Sequence, residues 1–298
     1  MQSETIRYKV ASEDLPELYD AANTASLRAQ KDHLTIIKGY IVLLVIGSIL
    51  TMYSEKIDNA PSYAIFLFLG SLCLTILQAY KRFDKIWYNG RAVAESIKTR
   101  SWRYMMQAEP YKDQGNNELV NSLFRSELKE ILRENSSLGS YLDTEGELRE
   151  SVTPKMILIR SLDLESRKEI YRNERIDDQR KWYAIKAVKN KRAGSSWFVA
   201  LVVIHVMIIC FLVVKISHPH ILLPADTFIV IAASIVTWTQ VKRYHDLSTS
   251  YTLTAREIGI IKGDSESVRT EDDFSDFVKD AENAFSREHT QWYARKDT

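Results

Sequence analysis

The stretch Trp197–Val214, WFVALVVIHVMIICFLVV, runs for 18 residues without a charged side chain. As a helix rising 1.5 Å per residue it is about 27 Å long, close to the ~30 Å hydrocarbon core of a bilayer. A helix apolar on every side belongs either to the middle of a large soluble protein or to a membrane. Three further stretches settle the choice: Leu34–Tyr53, Pro61–Tyr80 and Ile221–Val241, in which the only charges are Lys38 and Asp226. Both sit near the start of their stretch, where Lys can snorkel toward water and Pro224 suits a first helical turn. The four stretches come as two close pairs joined by the short loops Ser54–Ala60 and Lys215–His220. An all-α membrane protein with four transmembrane helices, arranged as two hairpins, is expected.

The averages of the chain conceal this. Its 298 residues are 27% charged with a net charge of +1, values ordinary for a soluble protein. That balance gives no electrostatic reason for a nucleic-acid partner, and none is expected. The only two cysteines, Cys73 and Cys210, both fall inside apolar stretches, which excludes a disulfide framework and a cysteine zinc site. Met1–Asp32 is polar and holds no early apolar segment, so no cleavable leader is expected.

Bases collect at four of the eight ends of the spans. Arg28, Lys31 and Lys38 precede the first, and Lys81, Arg82 and Lys85 follow the second. Lys186, Lys189, Lys191 and Arg192 precede the third, and Lys242 and Arg243 follow the fourth. Because basic flanks stay on the cytoplasmic side, both termini and the whole middle are expected in the cytoplasm. The bacterial inner membrane is the expected location. A shift of 161 residues sets Lys81-Arg82-Phe83 on Lys242-Arg243-Tyr244, Ala94 on Ala255 and Ile97 on Ile258. Upstream, Leu18-Tyr19 faces Trp182-Tyr183. The hairpins therefore read as a parallel repeat, two copies of one unit facing the same way.

The remaining segments read as helix. Leu119, Leu123, Leu128, Ile131 and Leu132 recur near helical spacing among charges. Glu165–Arg192 is almost free of Gly and Pro and should run into the third span as one long helix, as Arg82–Met106 should continue the second. Breaks are expected at Pro110–Asn117, Ser136–Gly146 and Gly263–Glu271. These long helices should extend into a cytoplasmic helical bundle. The division expected is a first two-span unit at 1–110, a helical connector at 111–164, and a second two-span unit with a closing helix at 165–298.

Catalytic patterns are missing. No glycine-rich phosphate loop, G-x-S-x-G or H-E-x-x-H occurs, and no enzyme, cofactor or metal site is expected. His218-Pro219-His220 lies in a short outer loop with no third ligand near it in sequence, and reads as a polar turn. Ser71, Thr75 and Gln78 line one stripe of the second span, and Ser234 and Thr237 a similar stripe of the fourth. Such rows either face water in an oligomeric pore or bond across helix interfaces. His205, near the middle of the third span, is a functional candidate because an ionisable group there is costly. Gly39, Gly47 and Thr51 would let helices approach closely. Trp102, Trp182 and Trp292 lie too far from any span to act as interface anchors, and are candidates for packing in the cytoplasmic helices along with Gln179, Tyr183 and His289.

The run Tyr171-Arg172-Asn173-Glu174-Arg175-Ile176-Asp177-Asp178-Gln179-Arg180-Lys181-Trp182-Tyr183, with Lys186-Ala187 and Asn190-Lys191-Arg192 ahead of a span, resembles the opening of a SLATT domain. The run from Ala284 to Arg295, AFSREHTQWYAR, is similar to that family's closing helix. The name denotes a two-transmembrane domain associating with SMODS nucleotidyltransferases and SLOG nucleotide sensors. Leu15–Met106 resembles a more diverged copy, so the resemblance covers most of the chain as a tandem pair. It implies a bacterial membrane effector of antiphage or conflict systems, acting by pore formation. The implied partners are the lipid bilayer, further copies of the chain, and a cytoplasmic defence protein or cyclic nucleotide signal. The chain holds no recognisable sensor or nucleotidyltransferase of its own, so such a signal would act on its cytoplasmic helices. A non-conducting membrane scaffold recruiting a cytoplasmic partner is the alternative, and a membrane enzyme or small transporter the third reading.

Overall fold

In the computed structural model, which describes residues 8–113, 115–139, 141–142 and 150–294, the regular structure is helical. The helices are α1 (Glu17–Met52), α2 (Ala60–Lys81), α3 (Phe83–Met105), α4 (Asn117–Glu134), α5 (Pro154–Arg160), α6 (Leu164–Ile170), α7 (Asp178–Ser217), α8 (Ala225–Lys242), α9 (Tyr244–Asp264) and α10 (Glu271–Ala294). Their starts follow from local chemistry. Asn116 accepts from the backbone of Glu118 and Leu119 to begin α4, Thr153 from Met156 to begin α5, and Asp163 from Ser166 to begin α6. Each satisfies amide groups that the first helical turn leaves without partners. The expected breaks fall where the sequence put them, between α3 and α4, after α4, and between α9 and α10.

Three helical stretches among the described residues are long and apolar enough to cross a membrane: Glu17–Met52, Ala60–Met105 and Leu164–Ser217. In the last, none of the most apolar window is buried. Phe198, Val202, Val206, Ile209 and Val213 all face outward. Covering each such side chain is worth roughly 1.5–3 kcal/mol, so this surface calls for lipid or another protein rather than water. The fourth apolar stretch is only partly helical. Ile221–Pro224 lies outside α8, which keeps 18 residues with Asp226 in its first turn and Lys242 in its last.

Glu165–Arg192 does run into the third apolar stretch as one helix of 54 residues, Leu164–Ser217. Between α6 and α7 it passes through a π-helical turn, Tyr171–Asp177. The continuation from α2 into α3 is different. Arg82 takes the left-handed conformation (φ 47°, ψ 44°), and its N–H closes α2 on the Gln78 carbonyl. Arg243, 161 residues later, does the same between α8 and α9 (φ 47°, ψ 41°), with its N–H on the Thr239 carbonyl. A non-glycine residue in this region costs about 1–2 kcal/mol, so its recurrence at equivalent positions speaks for a duplicated backbone.

Packing divides the chain into two compact units. One, the helical unit, comprises Met1–Ala29, Asp84–Ile185 and Ser250–Thr298; the other, the apolar unit, comprises Gln30–Phe83 and Lys186–Thr249. In the helical unit Ile97, Trp102, Met105, Met106, Phe274, Val278 and Ala281 are buried, and Tyr104, Tyr111 and Phe124 form an aromatic triad with centroids 5.1–6.0 Å apart. In the apolar unit the expected close approaches occur. A Cβ on Gly39 would lie 3.2 Å from Leu74, and one on Gly47 would lie 3.0 Å from the Phe68 ring.

The repeat extends to side chains. In the helical unit Ser26 Oγ donates to the Trp87 carbonyl at 2.8 Å. In the apolar unit Ser248 Oγ donates to the Ala187 carbonyl at 3.1 Å. Ala187 and Ser248 are Ser26 and Trp87 shifted by 161, so one bond recurs with its donor moved to the opposite helix. The same register aligns Ala22 with Tyr183 and Gly90 with Tyr251. A Cβ on Gly90 would lie 3.1 Å from the Ala22 carbonyl, whereas the two tyrosine rings pack at 5.5 Å. The upstream match is thereby corrected: Ala21-Ala22, not Leu18-Tyr19, stands opposite Trp182-Tyr183.

Candidate functional site

Glu282 lies on the apolar stripe of α10, three and four residues from Phe285 and Val278, and is fully buried. A carboxylate there is tolerable only if its lone pairs are filled. Four donors fill them. Arg175 grips both oxygens, Nε to Oε1 at 2.8 Å and Nη2 to Oε2 at 2.7 Å. Tyr171 donates its hydroxyl to Oε1 at 3.0 Å, and Thr99 donates to Oε2 at 3.0 Å. Tyr171 and Arg175 both belong to the π-helical turn, Thr99 to α3 and Glu282 to α10, so one carboxylate ties three elements of the helical unit together.

The electrostatics keep the pair charged. Burial pulls the Arg175 guanidinium down, but the Glu282 carboxylate raises it by more, and the net shift is upward. Burial and the same carboxylate push the Tyr171 phenol well above its ordinary value, so it remains a donor. Lys98 feels the opposite balance: burial and then the Arg175 charge lower it, against weaker support from Glu95 and Glu282. The Phe285 ring lies 4.9 Å from the Arg175 guanidinium carbon, offering its negative face.

Two more buried arginines act on carbonyls. Arg167 donates to the Leu162 and Met106 carbonyls at 3.1 and 2.7 Å and pairs with Glu271 at 2.5 Å, joining α6 to the start of α10. Arg160 donates from Nη1 to the Tyr104 and Tyr111 carbonyls, both at 2.8 Å, and packs over the Tyr104 ring. Tyr111 in turn donates to Glu127, which also takes Arg100 at 2.8 Å. Beside the π turn lies a cleft of about 750 Å³, walled in part by Tyr171, Arg172, Asn173, Ile176, Arg269 and Phe277.

Residues 16–168 match the SMODS and SLOG-associating 2TM effector domain 3, and residues 171–292 match the SMODS and SLOG-associating 2TM effector domain 1. The chain belongs to the SLATT family, with two domains in tandem. SLATT domains are two-transmembrane effector domains of conflict and defence systems, and this is a membrane protein of that kind. No curated protein and no solved structure matches the chain. The second SLATT domain begins at Tyr171, the first residue of the π turn.

The expected residues of the SLATT spans lie as follows. Ser71 and Ser234 are buried while Thr75 and Thr237 are exposed, and each hydroxyl donates to a carbonyl of its own helix: Phe68, Val230, Ser71 and Ala233 respectively. Gln78 is half-buried, and His205 is exposed with Nδ1 2.8 Å from the Leu201 carbonyl. In the helical unit Trp102 is buried edge-on to Tyr171 at 5.8 Å. Trp182 and Tyr183 both pack on Tyr251, and the Arg91 guanidinium sits over Trp182. Gln179 reaches only its neighbour Asp178, at 3.4 Å. The side chains of His289 and Trp292 lie outside the described residues. Sequence reasoning missed Arg160, Arg167, Arg175 and Glu282. Glu282 had a signal, an acid on an otherwise apolar helical stripe; the arginines, set among other bases, had none.

Proposed function

We propose that this tandem SLATT protein is a pore-forming effector of a bacterial antiphage system. On this reading it crosses the inner membrane four times with both termini cytoplasmic, assembles from several copies and has no catalytic step. What carries the reading is the unbroken helix Leu164–Ser217, which holds the Glu282-bound π turn near one end and an uncovered apolar stretch at the other. A signal that loosens α10 from Arg175 acts on a helix that continues into the bilayer. The cleft beside the π turn is the surface through which a defence partner or nucleotide signal would act. Four spans are few to enclose a conduit, so the pore forms between copies, with Ser71, Thr75, Gln78, Ser234 and Thr237 turned toward the lumen on opening.

The deciding experiment is dye and ion release from liposomes carrying the full chain, with and without co-expressed neighbouring-gene products or cyclic nucleotides. Trigger-dependent leakage, raised by Glu282→Gln, is expected. A chain that stays monomeric and leaks under no trigger would sink the proposal.

A second reading, the non-conducting scaffold, draws support from Ser71, Thr75, Ser234 and Thr237, whose hydroxyls are already satisfied within their own helices. It predicts that replacing the spans by unrelated apolar helices leaves toxicity intact, and that a cytoplasmic partner is recovered with the chain.

A further inference from the structure

The outward faces of α7 and α9 carry complementary stripes. On α7, Lys181, Ile185, Val188 and Arg192 recur at i, i+4, i+7 and i+11 and are all exposed. On α9, Leu253, Glu257, Ile260 and Asp264 recur at the same spacing and are also exposed, Leu253 by 64% and Ile260 by 70%. That spacing keeps four residues on one side of a helix. The inward sides of the two helices are different residues, among them Tyr183 and Ala187 on α7 and Thr254 and Ile258 on α9. Next to the α9 stripe is a groove of about 570 Å³ between α9 and α10, where Glu257, Asp264, Asp276 and Asp280 surround Ile260 and Phe277 and no basic side chain contributes. One stripe is apolar and basic, the other apolar and acidic.

Lipid does not cover these apolar residues. Taking Trp197 and Arg243 as the points where the helices leave the hydrocarbon, Ile185 and Val188 stand about 18 and 14 Å from it along α7. Leu253 and Ile260 stand about 15 and 26 Å from it along α9. The headgroup layer is only about 5–8 Å deep on each side. Ile185, Val188, Leu253 and Ile260 therefore meet water unless protein covers them.

We infer that the acidic face of α9 and its groove receive the basic face of α7 from a second copy of this chain. The inference rests on the four-span orientation proposed above. Lys181 stands about 24 Å from the hydrocarbon and Glu257 about 21 Å; Ile185 stands at about 18 Å and Leu253 at about 15 Å. Two copies anchored in one bilayer thus bring base to acid and apolar to apolar at matching heights, with α7 running toward the membrane and α9 away from it. A free basic peptide has no such constraint. The contact joins unlike surfaces, so it repeats from copy to copy and closes into a ring or continues as a chain.

The test uses the full chain in a Cys73→Ser/Cys210→Ser background, as two differently tagged copies, one carrying Ile185→Cys and the other Leu253→Cys. Oxidation in membranes should give a disulfide between the two tags. Copies carrying Ile185→Cys and Leu119→Cys, the latter exposed on α4, should give none. Separately, Lys181→Glu or Glu257→Lys alone should weaken self-association roughly tenfold, and co-expression of the two single variants should restore it. An oligomeric wild type with no cross-link, or with reversal variants of unchanged mass, overturns the inference but leaves the oligomeric reading standing. A monomeric wild type overturns both. Reversal variants that lose only their retention on vesicles rich in anionic lipid assign the α7 stripe to the membrane surface and overturn it too. Cross-linked oligomers that never leak support the inference and count against the pore.

Discussion

The helical unit and the apolar unit treat their polar side chains in opposite ways. In the helical unit, Arg160, Arg167, Arg175, Thr99 and Tyr171 reach from one element to another and are consumed there. In the apolar unit, Ser71, Thr75, Ser234, Thr237 and His205 turn back on their own helices, while large apolar side chains are left outside. The first unit specifies its packing with charges whose partners are fixed. The second leaves its outer surface to be completed by lipid and by other copies. One is finished as drawn; the other is an assembly part.

The largest way to break this contrast is Glu282→Ala. It strands Arg175 in the interior without its carboxylate, and a loss of about 3–5 kcal/mol is expected in thermal or denaturant unfolding. Glu282→Gln, which can still accept from Tyr171 or Thr99, should lose less. A small loss for Glu282→Ala would mean that the pair is not sealed from water. Next, Gly47→Leu drives side-chain atoms into the Phe68 ring, where a Cβ alone would already stand at 3.0 Å. Overpacking of this kind costs about 1–3 kcal/mol, and the apolar unit should lose stability in detergent while Glu282 variants behave as before.

Lys98→Met sharpens the electrostatic half. Burial and Arg175 hold the folded-state lysine below its ordinary value of 10.5. Between those two values the unfolded chain binds more protons, so stability rises with pH there. Below the folded value the charged lysine weakens the fold by its full amount. Lys98→Met should therefore melt higher than wild type at neutral pH, with the difference shrinking as pH climbs toward 10.5. An advantage that does not shrink would place the gain in packing instead of charge. The smallest effect is expected from Thr75→Val and Thr237→Val, within about 0.5 kcal/mol, because their bonds are local. A loss of oligomer from either would show that these hydroxyls bridge copies, and would erase the contrast from the apolar side.

The apolar stretches were legible because an uncharged run of bilayer length is seldom stable anywhere but in lipid or a deep core. The register of 161 was legible at Lys81-Arg82-Phe83, and the structure shows why that tripeptide persists: Arg82 and Arg243 hold the same left-handed break. What escaped the sequence was exchange. Ser26 and Ser248 make one bond from opposite partners, and Gly90 with Ala22 fills the space that Tyr251 with Tyr183 fills elsewhere, so matching letters could not find them. The buried arginines escaped for another reason. A base in a run of bases looks solvated until its acid is located, and Glu282 lies 107 residues from Arg175. The fourth helix is shorter than its apolar run because Pro224 and the residues before it are apolar without being helical.

The π turn also changes the arithmetic of direction along the longest helix. Tyr171 and Tyr183, both buried in the helical unit, are twelve residues apart. On an uninterrupted α-helix, at about 100° per residue, they would point some 120° away from each other. A π turn absorbs one extra residue, which brings them to within about 20°. Helical wheels drawn from Leu164 onward are therefore out of phase beyond Asp178, and the bearing of every later side chain, His205 included, must be counted from α7 alone. Deleting one residue from Arg172–Asp177 would restore the even count and turn the far end of the helix by about 100°, like a screw thread started one groove late.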